Sequence, residues 1–366
     1  KAAAQLDDST LSAQLELARL FLRGQRAEES AKILARLLEV APASQGVHLG
    51  LLQVALVRRD FDEAEIQISQ LEKLGMDEGR LAYEKAALNR AAGRRDLAKR
   101  QFLDLVNKPQ PAPDAWLALA QLAGQEKDRE LFDKAMAALK KERSYPPGLF
   151  LLGEQALAQH NMDEARRYFE RIMILDPGNI EALTRLAQLD FDRRNAVSLR
   201  NRVAALLDID PDNSFGHYFA ASVHLEAGRL DLAETSLRRS LARSDYDMAR
   251  NDLAWVLNEV GRSDEAMVEI QRALALNPRN ASSWDTLASI QSRQGESAEA
   301  ELSLEKARQI SEQKDPAILL NAAAIYLKNG SNDKARASMA ALEKLNVRLS
   351  KTLMEQKGII EGRLNH

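Results

Sequence analysis

Apolar residues return along this chain at spacings of three and four, in stretches of about 12 residues separated by short polar turns, as they do in amphipathic helices. Around Gly261, residues 252–260 form one such stretch and residues 264–276 the next, so the local unit reads helix, tight turn, helix. That unit recurs. Gly228, Gly261, Gly295 and Gly330 are each followed five residues later by Ala233, Ala266, Ala300 and Ala335, and the glycines lie 33, 34 and 35 residues apart. A period of this length marks an array of helical hairpins. Each recurring residue type has a physical reason. The glycine adopts the left-handed backbone that ends the first helix, an Asp or Ser shortly afterwards caps the second, and a proline (Pro177, Pro211, Pro278) closes the unit. Small residues on the first helix (Gly153, Ala187, Ala221, Ala254, Ala288) and on the second (Ala165, Ala233, Ala266, Ala300) let the paired helices approach closely.

Leucine then a small residue in the first helix, alanine then an aromatic or aliphatic in the second, and a closing proline together resemble the tetratricopeptide repeat. Residues 161–177 and 261–278 are its clearest copies, and Trp284, Leu287, Ala288, Gly295, Ala300 and Ala307 match it residue by residue. The resemblance implies an all-α fold, a right-handed superhelical solenoid of about ten helix-turn-helix repeats with a C-terminal capping helix. The units centre on Gly24, Arg59, Gly93, Lys127, His160, Arg194, Gly228, Gly261, Gly295 and Gly330. A continuous array is expected over residues 1–343, with looser repeats at 9–145 and the best-formed ones at 146–343, followed by a capping helix at 344–359. The Lys127 unit is the most divergent, and the unit after Asn195 carries Leu199 and Val203 where alanine and an aromatic are favoured. Pro109, Pro111 and Pro113, and the pair Pro146 and Pro147, are expected to be joints between successive repeats. Ile360, Glu361, Gly362 and Arg363 spell a processing-protease recognition sequence, so residues 360–366 are expected to be a vector-derived tail.

Charge narrows the partners. With 51 basic and 54 acidic side chains the net charge is -3, which gives no long-range field favouring nucleic acid or anionic lipid. The basic group Arg90, Arg94, Arg95, Lys99 and Arg100 lacks interleaved aromatics and reads as a solvated helix end. The absence of cysteine excludes disulfides, thiol catalysis and thiolate metal sites. No apolar run reaches the roughly 18 residues that a membrane-spanning helix needs. The chain opens on Lys1, which leaves room for a signal peptide or anchor removed upstream, so the periplasm is favoured over the cytoplasm only through the resemblance described below.

Catalytic signatures are missing: no phosphate-binding loop, no dinucleotide glycine triplet, no His-Glu-x-x-His helix. His217 and His224 stand about two helical turns apart, roughly 10 Å, too far to share one metal unaided. Glu63, Asp163, Glu164, Asp264 and Glu265 recur just after the turn, where acidic side chains complement the positive end of the second helix. No catalytic residue, cofactor or metal is therefore expected.

The opportunity for function lies on the concave face of a solenoid. The resemblance implies that the second, fifth, ninth and twelfth positions of each first helix line that face. Carried over, they include Phe150, Glu154, Thr184, Gln188, Phe191, Phe215, Tyr218, Ser222, Asn251, Trp255, Asn258, Asp285 and Ser289. Tyr218 and Trp255, in adjacent repeats, read either as core packing or as ligand contacts. The lysine and asparagine pattern of the carboxylate clamp found in some relatives is absent. The expected function is a non-enzymatic scaffold that binds a protein or peptide partner and organises a multi-protein assembly, with self-association left open. Residues 251–255 and 284–288 further resemble bacterial repeat lipoproteins of exopolysaccharide export and surface-protein sorting. The alternatives are a cytoplasmic adaptor, or the substrate-recruiting arm of an enzyme whose catalytic domain lies elsewhere.

Overall fold

A computed structural model describes residues 8–23 and 26–364, and among them every regular element is an α-helix. Two compact units divide the chain, Lys1–Asp176 and Pro177–His366. The first contains α1 (Asp8–Arg23), α2 (Ala27–Val40), α3 (Gln45–Arg58), α4 (Phe61–Lys73) and α5 (Glu78–Ala91). It continues through α6 (Arg95–Val106), α7 (Pro113–Glu126), α8 (Arg129–Leu139), α9 (Pro146–Ala158) and α10 (Met162–Leu175). The second contains α11 (Ile180–Asp192), α12 (Ala196–Ile209), α13 (Ser214–Glu226), α14 (Leu230–Arg243), α15 (Asp247–Glu259) and α16 (Ser263–Leu276). It closes with α17 (Ala281–Gln294), α18 (Ser297–Ile310), α19 (Pro316–Lys328), α20 (Asn332–Lys344) and α21 (Lys351–Leu364). Odd and even helices pair as hairpins, giving ten helix-turn-helix units and one final helix among the described residues.

Each hairpin turns where the sequence places its centre. Gly24 lies outside the described residues. At Gly93, Gly228, Gly261, Gly295 and Gly330 φ lies between 68° and 86°, and Arg59, Lys127, His160 and Arg194 take the same left-handed backbone at φ of 53° to 59°. The hydrogen bonds are those of a Schellman ending: at Gly261, its N–H donates to the Asn258 carbonyl (3.0 Å) and the Arg262 N–H to the Leu257 carbonyl (2.9 Å). The helix starts sort by turn type. Where the turn is Arg59, Lys127, His160 or Arg194, the next residue is Asp60, Asp128, Asn161 or Asn195, and its side chain accepts a backbone N–H of the following helix. Where the turn is glycine, the next residue is Arg94, Arg229, Arg262, Glu296 or Ser331, and none makes a side-chain cap. The expected capping by Asp or Ser after the glycine is thus corrected: an Asx cap accompanies the strained non-glycine turns, and Ser263 instead donates to Asn258 (3.1 Å).

Small residues sit where two helices touch. A Cβ built on Gly153 would lie 2.6 Å from the Phe169 ring, and Ala266 and Ala254 are fully buried. Phe102 and Phe169 fill the first unit, and Phe219, Leu237 and Ile270 the second. Pro113 and Pro146 open α7 and α9 as early helical residues, where a missing N–H costs nothing.

The end of the chain differs from the expected helix at 344–359. α20 runs to Lys344, Asn346 takes a left-handed φ of 47°, and α21 begins only at Lys351 and continues to Leu364. Ile360, in the segment expected as tail, is buried against the cluster that includes Leu319, Ala323 and Tyr326.

Candidate binding groove in the second unit

One register position on the first helices is used to anchor the fold. His48 Nε2, His217 Nε2 and Trp284 Nε1 each meet the carbonyl of a proline six residues earlier, at 2.9, 2.8 and 2.9 Å. His217 is buried in that role, and burial lowers the pKa of His224. The basic group of α5 and α6 is likewise occupied: Arg94 pairs with Glu65 (3.3 Å), and Lys99 with Glu126 and Asp128 (both 2.9 Å). Of the recurrent acidic residues, Glu265 pairs with Arg262 (2.6 Å) and Glu164 with Lys140 (3.6 Å), while Glu63 and Asp264 accept from the Gln67 (2.6 Å) and Gln294 (3.2 Å) amides.

The residues expected on the groove divide. Phe150 and Glu154 lie half-buried on α9 in the first unit, Phe150 packing 5.5 Å from the Phe169 ring. The others belong to the second unit. Thr184 donates to the Ile180 carbonyl (2.7 Å), Gln188 to Asp192 (2.8 Å) and Ser222 to the Tyr218 carbonyl (3.5 Å), bonds that stay within their own helices. Phe191, Tyr218, Phe219 and Tyr246 form a chain of tilted and, between Tyr218 and Tyr246, edge-on aromatic contacts 5.7 to 6.2 Å apart. Tyr218 is only 7% exposed and its hydroxyl donates to Asp252, while Phe215 caps the same cluster from outside at 46% exposure. Asn251 and Asn258 are buried. The Asn251 amide donates to Asp252 (3.1 Å), and its Oδ1 meets no donor among the described residues.

Trp255 is placed differently. It is 40% exposed and faces a cavity of about 410 Å³ walled by α15, α17, α19 and α21. Asp285 and Ser289 line the same cavity with Thr286, Asn321 and Gln356. Asn321 Nδ2 stands 2.8 Å from both Asp285 Oδ1 and Ser289 Oγ, and Ser289 Oγ donates to the Asp285 carbonyl (3.1 Å). Burial raises the Asp285 carboxyl to about 7, against the lowering effect of the Asn321 amide; the nearby Asp315 adds to the rise. The volume suits a small ligand or a few side chains of a bound peptide. Among the described residues no His, Asp and Glu cluster suited to a metal occurs.

Residues 15–78 and 218–282 match the tetratricopeptide repeat family profile, the second span running from within α13 to the start of α17. Those two spans are tetratricopeptide repeats. The CTR9 homolog of Arabidopsis thaliana is 26% identical over 208 residues, covering 52% of this chain and 19% of the relative; the chain therefore spans about a fifth of that protein's length. Among solved structures, the APC/C hetero-tetramer Cut9–Hcn1 covers 96% of this chain and 90% of its own at 14% identity and a TM-score of 0.50. Yeast Tom70 covers 98% and 96% at 14% identity and a TM-score of 0.41. The first of these supports the tetratricopeptide fold across nearly the whole chain.

The tetratricopeptide register also explains what sequence reading left out. On α19 its second, fifth, ninth and twelfth positions are Ala317, Leu320, Ala324 and Leu327, and all four line the cavity. Extending the register one repeat beyond Ser289 would have found them. Asn321 falls one place off that register, and α21 covers the groove by a contact that no repeat pattern predicts.

Proposed function

We propose that this tetratricopeptide chain is a scaffold that holds a segment of a partner protein against the inner face of α15, α17 and α19. Tetratricopeptide folds generally serve protein interaction rather than catalysis, which supports the coarse reading. One observation carries the finer one: Trp255, a large apolar side chain of the type that dominates interface energetics, stands exposed on a cavity furnished with hydrogen-bonding groups. Membership of a bacterial exopolysaccharide-export or surface-protein-sorting assembly is the narrower form of the proposal, and it rests on the resemblance of residues 251–255 and 284–288. A photoreactive benzoylphenylalanine at position 255 tests the site. In the native host it should cross-link to a partner, whereas the same group at Leu302, 72% exposed on α18, should not. Equal yields at both positions, or none at 255, would remove the inner face from consideration.

A further inference from the structure

Several acidic side chains of the second unit are paired with a cation inside the fold. Glu259 pairs with Arg293 (3.3 Å), Glu234 with Arg262 (2.9 Å) and Glu301 with Lys334 (2.6 Å). Asp285 is the exception on the cavity wall. Among the described residues it forms no ion pair with a lysine, arginine or histidine, and its bonding partner is the neutral amide of Asn321. Trp255 shows a parallel vacancy in its contacts. The Trp284 ring carries Lys306 at 5.9 Å, but among the described residues no cation or aromatic ring stacks on Trp255. Both groups open on the same space of about 410 Å³.

We propose that this cavity receives a cationic side chain, arginine or lysine, from an extended segment of the partner protein, with its charge on Asp285 and its stem across the face of Trp255. The inference rests on the scaffold reading above and adds the chemistry of the bound segment. Charge decides the sign. The lining carries Asp285 and Glu259 against a single arginine, Arg363 of α21, and Glu259 is itself held by Arg293. A carboxylate arriving there would meet a carboxyl already strained by burial, whereas a guanidinium or ammonium supplies the partner that Asp285 lacks. An exposed indole adds attraction for a cation over its face. A neutral side chain gains only the apolar contact.

The full chain, titrated by calorimetry at pH 8 and low salt with capped hexa-arginine, hexa-citrulline and hexa-glutamate peptides, tests this. Hexa-arginine should bind, and its uncharged isostere hexa-citrulline should bind about tenfold more weakly, the scale of one charge-assisted hydrogen-bonded pair. Asp285→Asn should cost hexa-arginine about the same factor. Asp264→Asn, which changes the net charge equally but lies on α16 outside the cavity lining, should cost less than about twofold. Equal losses for the two aspartate variants, equal binding of the arginine and citrulline peptides, or preference for hexa-glutamate would overturn the proposal. If Asp285→Asn fails to fold, Trp255→Leu probes the other contact: it should weaken hexa-arginine more than hexa-citrulline, and equal losses for the two peptides would refute the assignment. Cross-linking at position 255 that survives any of these negative results leaves the scaffold reading standing and sinks the cationic one alone.

Discussion

Asp252 on α15 and Asp285 on α17 lie on neighbouring first helices of the same unit, one place out of register with each other, and burial raises the pKa of both, to about 6 and about 7. Their surroundings are opposite. Asp252 receives the Tyr218 hydroxyl and the Asn251 amide inside a cluster closed by Phe191, Phe219 and Tyr246. Asp285 receives one amide, from Asn321, and faces open space beside Trp255. The neighbours make the difference: the buried Tyr218 ring encloses Asp252, whereas Asn321 and Ser289 leave Asp285 on the wall of a cavity.

The sharpest break of this comparison is at the filled end. Tyr218→Ala removes a buried ring from the aromatic chain and strips a donor from Asp252, so it should destabilise the protein by about 3–5 kcal/mol, read by denaturant unfolding. A loss below about 1 kcal/mol would move Tyr218 out of the core.

The two carboxyls give a second test, through pH. Each has its folded-state pKa raised above the unfolded value of 3.8, so the stability it contributes is complete below about pH 4 and is lost as pH rises through the folded pKa. Asp252→Asn should accordingly gain on the wild type between about pH 4 and 6, and Asp285→Asn between about pH 4 and 7. The slope should be at most about 1.4 kcal/mol per pH unit. Parallel stability profiles for wild type and either variant over that range would show that the group is not desolvated.

Position and occupant also separate at the turns, which shows how far the sequence could be read. The period of 33 to 35 residues identified the left-handed residue of every described hairpin, including Arg59, Lys127, His160 and Arg194, because spacing survives even where glycine does not. The capping rule did not carry over, since an Asx cap depends on which residue strains the turn. Asn195→Ala, removing the cap beside left-handed Arg194, should cost about 1 kcal/mol in thermal unfolding. Changing Arg262 to alanine removes no cap and should leave helix α16 formed.

On the groove, the helical register names Trp255, Asp285 and Ser289, which line the cavity, in the same way as Tyr218 and Asn251, which are buried. Depth within the groove depends on the side chains of adjoining helices, and a single helix does not carry that information. A final capping helix is legible in the sequence, but its seat against α19 is not, because that long-range contact, Ile360 included, carries no periodic signal. At the open end of the comparison the stability effect should be the smallest. Trp255→Ala should shift unfolding by less than about 1 kcal/mol, because the ring is exposed rather than enclosed. A loss comparable to that of Tyr218→Ala would close the distinction.

The central claim, that the open end binds and the filled end supports, is tested most directly by calorimetric titration of the partner segment recovered through position 255. The comparison is among wild type, Trp255→Ala and Tyr218→Phe, with helical content measured alongside. Trp255→Ala should weaken binding by about 1–2 kcal/mol with unchanged helicity, while Tyr218→Phe, which keeps the ring, should leave affinity intact. Equal affinity for wild type and Trp255→Ala, with folding preserved in both, would contradict the account.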